Sequence, residues 1–203
     1  MNLKEFKQAG HWPTLLAAFL YFDVSFMIWM VLGPLSLYIA QDLNLTIDEQ
    51  FTIIAIPILF GALLRIPIGA LTDQIGPKKT GQLSQLCIMS ALTYTWVFGL
   101  HSKLEVEMLG VVLGFAGASF AIAIPQASRW YPPKFQGIVL GVAGAAGTGM
   151  VLGSIIVPRL AENFGWQSVF GFLLIPASIV FILYSLMAKD APEKRAPINL
   201  QNY

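Results

Sequence analysis

Residues 51–71 read FTIIAIPILFGALLRIPIGAL, an unbroken apolar run whose one charge is Arg65. About 20 helical residues cross a hydrocarbon core. The run is continuously apolar rather than alternating, so it reads as a helix and not as a strand of a membrane barrel. Five comparable runs lie around it, over 13–40, 83–100, 108–124, 138–157 and 169–188. The connections are short and either polar or rich in Pro and Gly, which predicts antiparallel neighbours. The expectation is an all-α membrane protein: a segment over 1–12, a bundle of six transmembrane helices over 13–188, and a polar tail or linker over 189–203.

Composition agrees. Of 203 residues, 56% are hydrophobic and 11% charged, whereas a soluble domain carries about 25% charged residues. The net charge of +1 comes without a basic stripe, so no nucleic-acid partner is expected. Cys87 is the single cysteine, which excludes an internal disulfide, and it is expected to fill a helix contact. His11 and His101 lie at segment ends without neighbouring ligands, so no metal site is read. No nucleophile–base pair or phosphate loop is visible, and an enzyme is not expected. The first apolar run is too long for a signal-peptide core and lacks a small-residue cleavage pattern, so it reads as a retained helix.

Orientation follows from the basic residues. With the amino terminus inside, Lys4, Lys7, Lys78, Lys79, Arg129, Lys134, Lys189, Lys194 and Arg195 fall on the cytoplasmic side. Lys103 and Arg159 fall opposite, and Arg65 lies within a span. Both termini are therefore expected in the cytoplasm.

Two charges interrupt the apolar runs. A charge near a helix centre costs roughly 2.5–3.5 kcal/mol on insertion scales and normally faces the bundle interior. Arg65 lies six residues from the inner end of its run, about 9 Å deep at the helical rise. A guanidinium stays charged when buried, and its planar fork matches a flat oxyanion. Pro57 and Pro67 flank it and should bend the helix. Asp23 lies roughly 15 Å into the first run. It either neutralises Arg65 across a helix contact or serves as a protonatable group coupled to anion binding.

The fifth run carries Gly137, Gly141, Gly144, Gly147, Gly149 and Gly153. Their angular spread predicts close helix packing on two sides. A small-residue stretch, 114–119, precedes Phe120 in the fourth run, where a ring could wall a pocket for a planar ligand. The loop GALTDQIGPKK, 69–79, has Gly76 and Pro77 for a tight turn. Asp73 there is placed to cap a neighbouring helix, or else the loop merely fixes topology.

That loop resembles the inner-loop motif of the major facilitator superfamily. Gly69, Asp73, Gly76, Lys78 and Lys79 match it, and Gln74 replaces a usual basic residue. FLYFDVSFMIW (19–29), LFGALLRIPIGALTDQIG (59–76), GFAGASFAIAIPQASRWYPPKFQG (114–137) and GVAGAAGTGMVLG (141–153) are more specifically similar to bacterial nitrate/nitrite porters of that superfamily. The resemblance implies that Arg65 binds the anion and that Phe120 stacks on it, with Phe26 as the opposing wall. It places Gly144 and Gly147 among the substrate contacts of the span-five glycine signature, alongside Gly141 and Gly149. Such porters usually carry an Asn there, and this chain has none between 141 and 153. They resemble twelve-helix carriers with a second arginine in the other half, and this sequence covers the first six helices.

The expected function is alternating-access transport of nitrate and/or nitrite across the cell (inner) membrane. The chain would act as a half-length carrier needing itself or a second half, and no cofactor is expected. The alternative is a non-transporting remnant, or a membrane binding or assembly subunit.

Overall fold

The computed structural model describes residues 3–145 and 147–192. Apart from one 3-10 turn at Pro133–Phe135, its regular structure is α-helical. The helices are α1 Leu3–Ala9, α2 Trp12–Trp29, α3 Leu32–Asp42, α4 Ile47–Leu63, α5 Arg65–Ile75, α6 Pro77–Phe98, α7 Lys103–Gly117, α8 Phe120–Ser128, α9 Gln136–Gly144, α10 Thr148–Phe164 and α11 Trp166–Met187. The expected tail lies, from 193 onward, outside the described residues.

These helices form six rods in alternating directions: α2–α3, α4–α5, α6, α7–α8, α9–α10 and α11. Contacts at the two ends fix the alternation. At one end Glu5 pairs with Lys134, Asp73 with Arg129, and the Lys78 N–H donates to Asp190. At the other, Lys103 pairs with Glu49, and the Trp166 indole N–H donates to Asp42. Chain direction reverses within single residues where glycine allows it. Gly76, between α5 and α6, has φ 96°, and Gly165, between α10 and α11, has φ 81°; both lie in the left-handed region that a Cβ disfavours. A capping box opens α4, where Thr46 and Glu49 satisfy each other's backbone N–H.

Five helical stretches are long and apolar enough to cross a membrane: Trp12–Asp42, Ile47–Ile75, Lys103–Ser128, Pro133–Phe164 and Trp166–Met187. Six were expected. The remaining rod, α6, has 22 residues and so reaches about 33 Å. Its apolar character is diluted by polar residues turned into the bundle: Thr80, Ser84, Gln85 and Thr95 are all buried. Every described rod also begins before its expected start, and four run past the expected end. Arg65 lies ten residues before the end of α5 rather than six, about 15 Å from that end.

Four rods are interrupted: at Met30–Val31, at Leu64, at Ala118–Ser119, and between Gly144 and Thr148. The second break follows from Pro67, which removes the N–H that would bond Leu63 four residues back. Cys87, expected in a helix contact, is instead exposed on the outer side of α6. Many large apolar residues are also exposed, among them Phe51, Ile66, Phe98 and Leu186. A membrane protein offers such a surface to lipid rather than to water.

Candidate anion site

Helix α7 approaches α4 through Gly110, Gly114 and Gly117, one helix face at spacings of four and three. A Cβ on Gly114 would sit 2.7 Å from the Phe60 Cβ, so the backbones are as close as side chains permit. The gap between α2, α4 and α7 is filled by Trp29, which is 8% exposed. Its indole N–H donates 2.7 Å to the Pro57 carbonyl, and its ring lies against Gly61 and Gly117.

Arg65 opens α5 beside this ring. Its Cζ lies 6.0 Å from the Trp29 ring centroid and 5.4 Å from that of Phe120, which opens α8. Phe120 meets Phe22 at 5.8 Å, Phe22 meets Phe26 at 4.7 Å, and Phe26 meets Trp29 at 5.0 Å, all edge to face. The contacts therefore close a circuit: Arg65, Phe120, Phe22, Phe26, Trp29 and back to Arg65. Each guanidinium–ring contact contributes roughly 0.5–2 kcal/mol, depending on desolvation.

Among the described residues, no carboxylate pairs with Arg65. Its Nε–H is buried and, among the described residues, has no hydrogen-bond partner. A buried donor left unsatisfied costs about 1–3 kcal/mol, so this edge of the fork is suited to an oxygen acceptor. On one side the site is open. Phe120 is 43% exposed and Ile66, next to Arg65, is 79% exposed.

Asp23 forms no ion pair with Arg65. Its Oδ1 accepts 2.6 Å from the Gly149 N–H and 2.7 Å from the Thr148 hydroxyl. Thr148 and Gly149 are the first two residues of α10, so Asp23 caps that helix where its rod is broken. A Cβ on Gly149 would strike the Asp23 carbonyl, and one on Gly153 would sit 2.9 Å from Met27 Cγ. The expectation of packing on two sides therefore holds for one side only. Among the described residues, no atom lies within 4 Å of where a Cβ on Gly137, Gly141, Gly144 or Gly147 would sit, so this second set of glycines stands open there.

The inner-loop residues form a separate cluster at the end that carries α1. The Arg129 Nη2 donates 2.6 Å to Asp73, a pair about one-third to one-half exposed. The α6 amino terminus is capped by Asp190, whose Oδ1 accepts 2.9 Å from the Lys78 N–H. A Cβ on Gly69 would sit 3.9 Å from the Ala121 Cβ, an ordinary contact distance, and Lys79 is exposed. Nearby, the His11 Nδ1 accepts 3.2 Å from the Thr14 N–H and caps α2. Burial first, and then the Lys189 charge, hold the His11 imidazole below its usual pKa.

The structure thus brings Arg65, Phe120 and Phe26 together and adds Trp29 and Phe22. Phe22, Phe26 and Trp29 follow one another at spacings of four and three, a single helix face, and that spacing was the readable signal for the two added rings.

Residues 17–202 match the family model of the Major Facilitator Superfamily. The chain is similar to the "Probable nitrate transporter NarT" of Staphylococcus carnosus (strain TM300), 32% identical over 178 residues, which covers 86% of this chain and 44% of that protein. It is also similar to the "Nitrite extrusion protein" of Bacillus subtilis (strain 168), 29% identical over 176 residues, covering 87% of this chain and 44% of the relative. The "Probable nitrate transporter NarT" of Staphylococcus aureus (strain Newman) is 30% identical over 181 residues, 87% of this chain and 45% of the relative. The chain spans less than half the length of these curated relatives. With the family model matched over nearly all of its rods, this multi-pass chain belongs to the major facilitator superfamily.

Proposed function

We propose that this chain supplies one wall of a carrier for a small planar oxyanion, nitrate and/or nitrite, with Arg65 as the anion ligand. The observation that carries the reading is the Arg65 guanidinium itself: no carboxylate pairs with it among the described residues, its Nε–H is buried and unpartnered, and it is bounded by aromatic rings. A flat anion can take two N–H bonds along the guanidinium edge. Phe120 stacks on the bound anion and Phe26 stands behind. Gly144 and Gly147 have open space around them, and on this reading the missing side chains leave room for close approach of the anion. The names of the curated relatives point to the same pair of anions.

An arginine open to hydrocarbon is costly, roughly 2.5–3.5 kcal/mol on insertion scales. The open face therefore calls for a cover, and a second six-helix bundle supplies it, either in the same polypeptide or as a partner, which includes a second copy of this chain. Transport then follows by rocking of the two bundles about the anion. The account places six rods across the membrane, α6 included, with both termini in the cytoplasm, as the distribution of basic residues supports. Asp23 is a cap for α10 on this reading, and proton coupling through it is the competing role. The inner-loop residues Gly69, Asp73, Gly76, Lys78 and Lys79 brace the cytoplasmic end.

The test is flux into proteoliposomes that carry the chain, beside the variant Arg65→Lys. Uptake of nitrate or nitrite that disappears in the variant supports the proposal. Undiminished uptake in a folded Arg65→Lys protein overturns it, since an ammonium cannot reproduce the fork. A folded chain that binds the anion without moving it points to the binding or assembly alternative. Cross-linking tests the cover: with Cys87→Ser and Gly144→Cys, reaction with lipid probes alone would rule out a bundle over this face.

A further inference from the structure

An arginine side chain has many torsions, and no carboxylate pairs with Arg65 among the described residues. Something else must hold its plane if the fork is to meet a flat anion. Phe120 is 43% exposed, whereas Trp29 is 8% exposed and closely packed. Its indole N–H is tied to the Pro57 carbonyl at 2.7 Å. A Cβ on Gly61 would sit 2.7 Å from the ring, and one on Gly117 would strike it. The ring is therefore held in place by close contacts, and the Arg65 Cζ lies 6.0 Å from its centroid.

We propose that Trp29 is a positioning residue for the anion site. It fixes the orientation of the Arg65 guanidinium, and its own place is set by its contacts with Gly61 and Gly117. This rests on the reading of Arg65 as the anion ligand. Anion selectivity is then controlled by the helix contact of α4 against α7 on which the ring rests. A planar anion needs the guanidinium plane correctly set, and a spherical one needs only its charge.

The experiment measures the dissociation constants of nitrate and of chloride for the full chain and for Trp29→Leu, Trp29→Phe and Arg65→Lys, with folding checked by thermal unfolding. Trp29→Leu removes the aromatic face and keeps apolar bulk. It is expected to weaken nitrate binding roughly tenfold, on the scale of a desolvated cation–π contact, with chloride affinity little changed. Folded Trp29→Leu with the original nitrate-over-chloride preference overturns the inference. Should Trp29→Leu fail to fold, Trp29→Phe decides: a weakening of about threefold supports the inference, since Trp gives the strongest face, and an unchanged constant overturns it. Loss of nitrate binding in Arg65→Lys beside full binding in the Trp29 variants removes the role of Trp29 alone. Full binding in Arg65→Lys removes the anion site itself.

Discussion

The Asp23 carboxylate accepts a 2.6 Å hydrogen bond from the Gly149 backbone N–H, and no ion pair joins it to Arg65. Two donors at the start of α10 meet one oxygen, which is the arrangement of a helix cap. Asp23→Ala should cost about 1 kcal/mol, the usual loss for such a cap, and Asp23→Asn less, because an amide oxygen still accepts. Both should keep nitrate affinity within about twofold, since this contact lies outside the aromatic circuit. Thermal unfolding and nitrate titration check this together. A folded Asp23→Asn protein without anion binding would return Asp23 to the site.

Gly149 and Gly144 should respond in opposite ways. A Cβ on Gly149 would collide with the Asp23 carbonyl, so Gly149→Ala should destabilise by about 1–3 kcal/mol through overpacking. Gly144 has open space, and Gly144→Ala should be neutral or stabilising by up to about 1 kcal/mol from helix propensity. Unfolding midpoints in one detergent compare them directly. If Gly144→Ala then blocks transport without loss of stability, the open face is the one at which bundle and anion meet.

His11 gives the bundle an acid-sensitive cap. Its pKa is lowered in the folded chain from the ordinary 6.5. The folded state therefore binds the proton less readily than the unfolded state does. Its contribution is complete above about pH 6.5 and is lost as pH falls toward the lowered value. His11→Asn keeps a cap that does not titrate. The drop in unfolding temperature between pH 8 and pH 5.5 should be smaller in His11→Asn than in the original chain.

The Asp73–Arg129 pair is short, at 2.6 Å, but its side chains are 49% and 33% exposed. Exposed pairs contribute roughly 0–1 kcal/mol. Asp73→Asn should leave the unfolding midpoint nearly unchanged, so any large effect on flux would act through motion of the bundle rather than through its stability.

Arg65 and Phe120 were legible because a charge inside an apolar run, and a ring after a small-residue stretch, stand out from their surroundings. Trp29 was not, since one more aromatic in an apolar run reads as packing until its spacing of three residues from Phe26 and seven from Phe22 is noticed. The pairing of Asp23 with Arg65 was suggested by depth alone. Depth does not fix the rotation of a helix, and Asp23 and Met27 form a face four residues apart that meets Gly149 and Gly153, also four apart. The expected span of α6 was short at its first end because Lys78, Lys79 and Gln82 obscured a helix that begins at Pro77. The cap by Asp190 joins residues 112 apart in sequence, a relation that no local pattern encodes.

Equilibrium binding of nitrate to the folded chain, original against Arg65→Lys, tests the central claim most directly. The account predicts saturable binding that weakens at least tenfold in the variant, because a point charge replaces a planar fork held among rings. Equal binding by both folded proteins would contradict it.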